Sequence, residues 1–145
     1  MKKLVALMLA FMMMFSLAAC GESDTSSENE ITSLVGNWEP EELDDSYQAG
    51  YITEDTIEIF WVSDGGDTVA LYWAGTYEDP EEATTSYSWE SENDTSKTST
   101  ALLASDAETK TFTYEDGILS YSVSVSGTTT TYELVMTDTD YSVYG

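Results

Sequence analysis

Residues 118–134 read ILSYSVSVSGTTTTYEL, in which apolar and polar side chains alternate on both sides of Ser126-Gly127. A period of two is typical of β-strands that turn one face to the core and the other to water. A two-residue turn at Ser126-Gly127 pairs Tyr121 with Tyr132 and Leu119 with Leu134. The stretch therefore predicts a hairpin with one apolar face.

A second turn signal, Asp116-Gly117, predicts a strand on the other side. It places Tyr114 opposite Leu119 and Phe112 opposite Tyr121. Both turns put Leu119 and Tyr121 on the same inward face, and this agreement predicts a three-strand antiparallel meander.

A third hairpin is predicted around Gly65-Gly66, and both of its faces are apolar. One face pairs Val62 with Val69, Phe60 with Leu71, and Glu58 with Trp73. The other face pairs Trp61 with Ala70, Ile59 with Tyr72, and Ile57 with Ala74. Something must cover the second face, and the candidates are a loop, the segment Glu41–Gly50, a ligand or a partner protein.

Weaker strand patterns and turn-rich segments complete the chain. Strands are predicted at Leu34–Glu39, Thr85–Glu90 and Lys97–Leu103, a polar turn at Glu90–Lys97, a loop at Tyr77–Ala83, and a short helical turn at Glu41–Tyr47. About eight or nine short strands predict an all-β fold, an antiparallel up-and-down meander that closes into a barrel. An open barrel and a β-sandwich are the alternatives.

The N-terminus carries a targeting signal. Lys2-Lys3 precede an apolar run, Leu4–Phe15, and small residues that end in Leu17-Ala18-Ala19-Cys20. This order predicts a cleaved signal peptide over residues 1–19. Leu17-Ala18-Ala19-Cys20 resembles the lipobox of bacterial lipoproteins, which implies lipidation of Cys20 and anchoring to the outer face of the bacterial cell membrane. The alternative is an ordinary signal peptide with a chance cysteine.

Residues 20–30 contain acidic, hydroxyl and amide side chains after the cysteine and cannot build a core, which predicts a flexible acidic tether. The folded domain is expected to span residues 31–145. Removal of a leader that holds Lys2, Lys3 and no acid takes the formal net charge from −24 to −26. Such a charge disfavours nucleic acid and anionic lipid as partners and suits solvation, a basic protein partner or weak Ca²⁺ binding.

The composition offers little for catalysis. The chain has no His, so it lacks the imidazole base of a Ser-His-Asp triad and any histidine metal ligand. We predict no enzyme activity and no cofactor or metal. The acidic loops do not match a calcium-binding loop pattern; they are Asp64/Asp67, Glu78/Asp79/Glu81/Glu82 and Asp138/Asp140. Glu58 is the one carboxylate placed in mid-strand among apolar neighbours.

Leu34-Val35-Gly36-Asn37-Trp38 opens the folded region. It resembles the Gly-x-Trp element that begins the first strand of lipocalin-like barrels, and the chain is similar to uncharacterised small Gram-positive lipoproteins. The resemblance implies a lipocalin-like barrel in which Trp38 packs across the closed end and Gly36 lets the chain bend.

Aromatic residues are the candidate ligand-binding groups, because flat rings stack on apolar molecules and sugars. They are Trp61, Tyr72, Trp73 and Trp89, with Tyr87 close by in sequence. We therefore expect a membrane-anchored lipoprotein that binds a small apolar or sugar ligand near Trp61 and Tyr72. The alternative is a protein-interaction, spacer or inhibitor lipoprotein that uses its acidic surface and has no small-molecule ligand.

Overall fold

The computed structural model describes residues 29–145. The predicted signal peptide, Cys20 and most of the tether lie outside these residues. Eight strands form the domain: β1 Gly36–Glu39, β2 Ser46–Ile52, β3 Thr56–Ser63, β4 Thr68–Thr76, β5 Ser86–Glu92, β6 Thr109–Glu115, β7 Ile118–Val125 and β8 Thr128–Thr137. The described helices are one short α-helix, α1 Thr95–Thr98, and single 3₁₀ turns at Asp64–Gly66 and Ser142–Tyr144.

All eight strands belong to one antiparallel sheet in the order β4-β3-β2-β1-β8-β7-β6-β5. Each half of the chain runs up and down through four neighbouring strands, and β1 pairs with β8 in the middle. The sheet curls into a half-barrel whose edges, β4 and β5, approach each other at a bridge between Gly75 and Asn93. The predicted all-β meander is confirmed, in the form of an open barrel, and the β-sandwich alternative is wrong.

The predicted C-terminal meander is present. Tyr121 pairs with Tyr132 and Leu119 with Leu134. Leu119 also pairs with Tyr114, as the Asp116-Gly117 turn predicts. Leu119, Tyr121 and Leu134 are buried, so the inward face was predicted correctly.

The register predicted for the third hairpin is correct near its turn and wrong farther away. Val62 pairs with Val69, Phe60 with Leu71 and Trp61 with Ala70, but the register then shifts between Ile59 and Phe60. The observed partners beyond the shift are Glu58 with Ala74, Ile59 with Trp73, and Ile57 with Gly75. The shift leaves Tyr72 as an extra, bulged residue. Because of this bulge, the consecutive residues Tyr72 and Trp73 both pack into the same core.

Two local predictions are wrong, and one strand was not predicted. The segment predicted to be a helical turn, Glu41–Tyr47, is irregular and then enters β2, a strand that the sequence pattern did not reveal. The strand predicted at Lys97–Leu103 is replaced by α1 and turns. The reason is a cap, since the Asp94 side chain accepts a hydrogen bond from the Ser96 amide at 3.0 Å and so starts a helix. The polar turn predicted at Glu90–Lys97 begins later, because β5 continues to Glu92.

The apolar side chains form two clusters on opposite faces of the sheet. The larger lies on the concave face and includes Trp38, Ile59 and Phe112. The smaller lies on the outer face and joins Ala49, Phe60 and Val62 to Tyr141. The ring of Tyr144 also lies 6.1 Å from that of Phe60. The segment after β8 therefore covers the face of the Gly65-Gly66 hairpin that carries Phe60 and Val62. The second apolar face, that of Trp61 and Ile59, packs in the concave core instead.

Candidate functional site

Aromatic rings follow one another across the concave face. Neighbouring centroids lie 5.2–5.9 Å apart in the series Tyr87, Trp89, Phe112, Tyr121, Tyr132, Trp61 and Tyr72. Several of these rings are only partly buried, among them Trp61, Tyr132 and Trp89. The series therefore combines core packing with aromatic side chains that remain partly accessible.

Three of the four predicted ligand-binding residues lie together. Trp61 contacts Tyr72 in a T-shaped pair, and Trp73 follows Tyr72 into the same core. Trp73 is fully buried and its indole N–H donates to Ser91 Oγ at 3.0 Å, which holds it as a packing residue. Trp89 lies at the far end of the aromatic series, so the structure does not bring it next to Trp61.

Gln48 adds a polar group to the Trp61 end. It sits directly across from Trp61 in the β2–β3 register and is fully buried. Its Oε1 accepts a hydrogen bond from the Tyr121 hydroxyl at 2.8 Å, but its Nε2 has no hydrogen-bond partner in the described structure. An unsatisfied buried donor costs about 1–3 kcal/mol. The Gln48 amide therefore points to an acceptor that the protein itself does not provide.

Lys110 brings a positive charge to the same end. Its Nζ lies 5.1 Å from the centroid of the Tyr72 ring and 5.6 Å from that of Trp73, and it donates to the Ser122 carbonyl at 2.9 Å. Aromatic faces stabilise a cation in this position. The other lysine of residues 29–145, Lys97, forms an ion pair with Glu58. No carboxylate of the described chain lies within 4 Å of the Lys110 amine.

The wall of the half-barrel has a gap beside Lys110. The β6–β7 ladder stops at the Thr113–Ser120 pair, although its register would continue to Thr111 and Ser122. The strands separate there and leave a cavity of about 420 Å³, which we call the β6–β7 opening. Its lining consists of Lys110, Tyr121 and hydroxyl side chains, namely Thr109, Thr111, Thr113, Ser120, Ser122 and Thr131.

Burial raises the pKa of the Tyr121 hydroxyl well above its ordinary value of 10.0, and the neighbouring Tyr72 and Tyr132 hydroxyls raise it further. The folded protein therefore holds this proton more tightly than the unfolded chain does. We expect the free energy of unfolding to fall as the pH rises above about 10, by about 1.4 kcal/mol per pH unit until the folded-state pKa is reached.

Urea denaturation between pH 8 and pH 11 measures how the free energy of unfolding falls with pH. Tyr121→Phe should make this fall less steep by about 1.4 kcal/mol per pH unit. Burial also raises the pKa values of Tyr77 and Tyr141. These two hydroxyls explain why the free energy of unfolding should still fall with pH in the Tyr121→Phe variant, although less steeply. Equal slopes in the two proteins would contradict the prediction.

A second cavity lies at the gap between β4 and β5. This acidic groove has a volume of about 650 Å³ and is lined by five carboxylates and two aromatic rings, together with Thr76. The lining residues are Glu54, Asp55, Thr76, Tyr77, Glu78, Trp89, Glu90 and Glu92. The Trp89 indole donates to the Thr76 carbonyl at 3.2 Å, which fixes the ring at the edge of the groove. Within residues 29–145, no group of three or more potential ligands is arranged to hold a metal ion.

Glu58 lies on the outer face of β3, opposite Ala74 and not Trp73 as predicted. It is 5% exposed, and Lys97 donates a charge-assisted hydrogen bond to its carboxylate. The side chain therefore serves as one half of an ion pair, away from the residues that line the two cavities.

Comparisons of the chain with protein-family models, curated proteins and solved structures find no match. In the described residues, no helix has the length and apolar character needed to cross a membrane.

Sequence reasoning missed Gln48, Lys110 and Tyr132 as members of the site. Gln48 was missed because it belongs to the strand that was not predicted, β2. Lys110 could have been found, since Lys110, Phe112 and Tyr114 alternate with threonines and so share the inward face of one strand.

Proposed function

We propose that this chain is a membrane-anchored, lipocalin-like lipoprotein of the bacterial cell surface that binds a small ligand at the Trp61 end of the concave face. The single observation that carries the binding role is the unpartnered Nε2 of buried Gln48, a residue that accepts from the Tyr121 hydroxyl and lies across from Trp61 in the β2–β3 register. A buried polar group without a partner is rare in native proteins, and a ligand acceptor would satisfy it.

The ligand is a molecule with a flat apolar or sugar face and at least one hydrogen-bond acceptor. Trp61 and Tyr132 contact each other edge to face at 5.9 Å and are both partly exposed, so part of each side chain remains accessible. The aromatic rings would contact the apolar surface of the ligand, and the Gln48 amide would fix its orientation. Small-molecule sites commonly combine an apolar lining with a few such polar groups.

A crystal structure of the protein purified from its own host tests this function. We expect unexplained density against Trp61, with an acceptor atom within hydrogen-bond distance of Gln48 Nε2. An interior that is filled by protein and ordered water alone would overturn the small-ligand proposal.

The anchor is part of the same proposal and rests on the Leu17-Ala18-Ala19-Cys20 sequence. Cys20→Ser should release the protein from the membrane fraction into the medium, because acylation of that thiol would supply the membrane attachment. Equal membrane retention of both proteins would contradict lipidation at Cys20.

The acidic groove supports a second candidate function, binding of a basic protein segment. Its five carboxylates face no basic side chain in the lining, and Trp89 can stack on an arginine or lysine side chain. Because exposed charges are screened over about 8 Å at physiological ionic strength, such binding should collapse in high salt. Binding to the Trp61 end should survive high salt.

A further inference from the structure

We infer that the basic segment proposed for the acidic groove binds there as an added β-strand, paired with the outer edge of β5 at Ser88 and Glu90, which we call the β5 edge. The inference rests on the second candidate function. It adds the conformation and the chemical class of the partner, which is an extended peptide with Lys or Arg at alternate positions.

The backbone groups of β5 alternate between its two sides. The amides of Ser86 and Glu92 point away from β6, because each donates to a threonine hydroxyl outside that strand, at 3.1 Å and 2.9 Å. Every second residue of a strand directs its N–H and C=O groups to the same side. Ser88 and Glu90 lie between these two residues, so their backbone groups also point away from β6.

The β5 edge has no partner strand. Ser88 and Glu90 are exposed, and within residues 29–145 their outward N–H and C=O groups form no hydrogen bond. The other edge strand, β4, is covered, since its Tyr72 and Ala74 carbonyls each accept a backbone amide at 2.8 Å. An uncovered strand edge is a template for pairing with an extended segment of another chain.

The acidic groove lies along this edge, because Glu90 belongs to both. The Trp89 indole spans the gap from β5 to the Thr76 carbonyl, and a strand beside β5 would lie over it. Since Trp89 packs against the concave core, its neighbour Glu90 points to the outer face, as does Glu92. Outward side chains of an added strand would therefore lie beside these two carboxylates, which favours Lys or Arg at alternate positions.

Charge selects which chain can use the β5 edge. The groove is lined by five carboxylates and by no basic side chain. A second copy of this chain, with a formal net charge of −24, would bring more negative charge to the same place. Like charges on neighbouring strands destabilise their pairing, and opposite charges stabilise it. The β5 edge is therefore suited to a basic strand and not to another copy of the protein.

The test compares two peptides of sequence Lys-Ser-Lys-Ser-Lys-Ser-Lys with acetylated and amidated ends. One has ordinary amides, and the other is N-methylated at every backbone amide, so it keeps the charge but has no backbone N–H. Both are titrated by calorimetry against the full chain in nonionic detergent. N-methylation removes the hydrogen bonds to the Ser88 and Glu90 carbonyls, so we expect it to weaken binding by about tenfold or more.

Hydrogen exchange identifies the strand that becomes paired. The Ser88 and Glu90 amides should exchange quickly in the protein alone, and the ordinary peptide should slow their exchange because each amide would donate to a peptide carbonyl. Binding through charge alone would leave these exchange rates unchanged. Both measurements use the unmodified protein, so neither depends on the folding of a variant.

Two variants of equal net charge test the position of the peptide. Glu90→Gln should weaken the ordinary peptide by about two- to fivefold, the size expected for one exposed charge pair. Glu133→Gln changes an exposed carboxylate of β8 that does not line the groove, and it should leave the affinity nearly unchanged. Equal effects of the two variants would show that the peptide does not bind beside Glu90.

The other outcomes separate this inference from the function on which it rests. If both peptides bind equally well and Glu90→Gln weakens them, strand addition is wrong and the binding of basic segments in the groove stands. Unchanged exchange at Ser88 and Glu90 in the presence of bound peptide would also overturn strand addition. If neither peptide binds, the inference fails together with the second candidate function.

Discussion

Trp38→Ala is expected to lower the free energy of unfolding by about 3–5 kcal/mol, the range for removing a large buried aromatic side chain. Trp38 is 1% exposed and lies in β1, between β2 and β8. Its ring meets Tyr114 edge to face at 6.2 Å, and its indole N–H donates to the Leu34 carbonyl at 3.0 Å. Alanine would leave a cavity and an unpaired carbonyl at the strand that joins the two halves of the sheet.

Urea denaturation at neutral pH measures the effect, with two controls. Trp38→Phe keeps most of the ring and should cost clearly less than Trp38→Ala, although it loses the indole hydrogen bond. Leu102→Ala changes a side chain that is fully exposed and should stay within about 0.5 kcal/mol of the unmodified protein. A loss below about 1 kcal/mol for Trp38→Ala would show that Trp38 does not hold the two halves together.

The sequence predicts this fold well where the position of a turn sets the register of the two strands that flank it. Ser126-Gly127 places every predicted pair of the β7–β8 ladder correctly, because no bulge intervenes. Around Gly65-Gly66, the pairs predicted from the turn are correct as far as Phe60 and wrong beyond it, because the register shifts between Ile59 and Phe60. A bulge arises from how Tyr72 and Trp73 pack against the rest of the sheet, and the alternation of a single hairpin carries no sign of it.

The candidate site depends more heavily on contacts between distant segments. Trp61 and Tyr72 were predicted because they are aromatic and share the face of the Gly65-Gly66 hairpin that was expected to need a cover. Gln48 joins them from β2 and Lys110 from β6. These two residues are 62 positions apart in the sequence. A cover was predicted for the face of Trp61, which packs in the concave core, whereas Tyr141, from beyond the last strand, covers the opposite face at Phe60 and Val62.

Gly75→Ala is expected to cost at least about 2 kcal/mol of unfolding free energy and to separate the two edges of the half-barrel. A Cβ atom at this position would lie 2.5 Å from the Glu92 carbonyl oxygen, 2.7 Å from Trp73 Nε1, and closer still to Ser91 Oγ. Two of these neighbours are the backbone and a fully buried ring, which cannot move aside without shifting a strand.

Gly50→Ala is the matched control, because Gly50 is also a buried strand glycine. Its nearest neighbour would be the end of the Ile59 side chain at 3.0 Å, which can adjust by rotating. We expect a smaller loss of stability for Gly50→Ala than for Gly75→Ala. A similar loss in both variants would mean that the close approach of β4 and β5 is not what requires a glycine at position 75.

Hydrogen exchange locates the damage. The Asp94 amide donates to the Ala74 carbonyl at 2.8 Å and so reports whether the two edges remain joined. Gly75→Ala should speed exchange at Asp94 while amides of the β7–β8 ladder stay protected, because those strands lie away from the β4–β5 gap. Adding Ser91→Ala removes the closest clash but leaves the Glu92 carbonyl in place, so it should restore only part of the lost stability. Full restoration would show that the side chain of Ser91, and not the backbone of β5, sets the limit on residue 75.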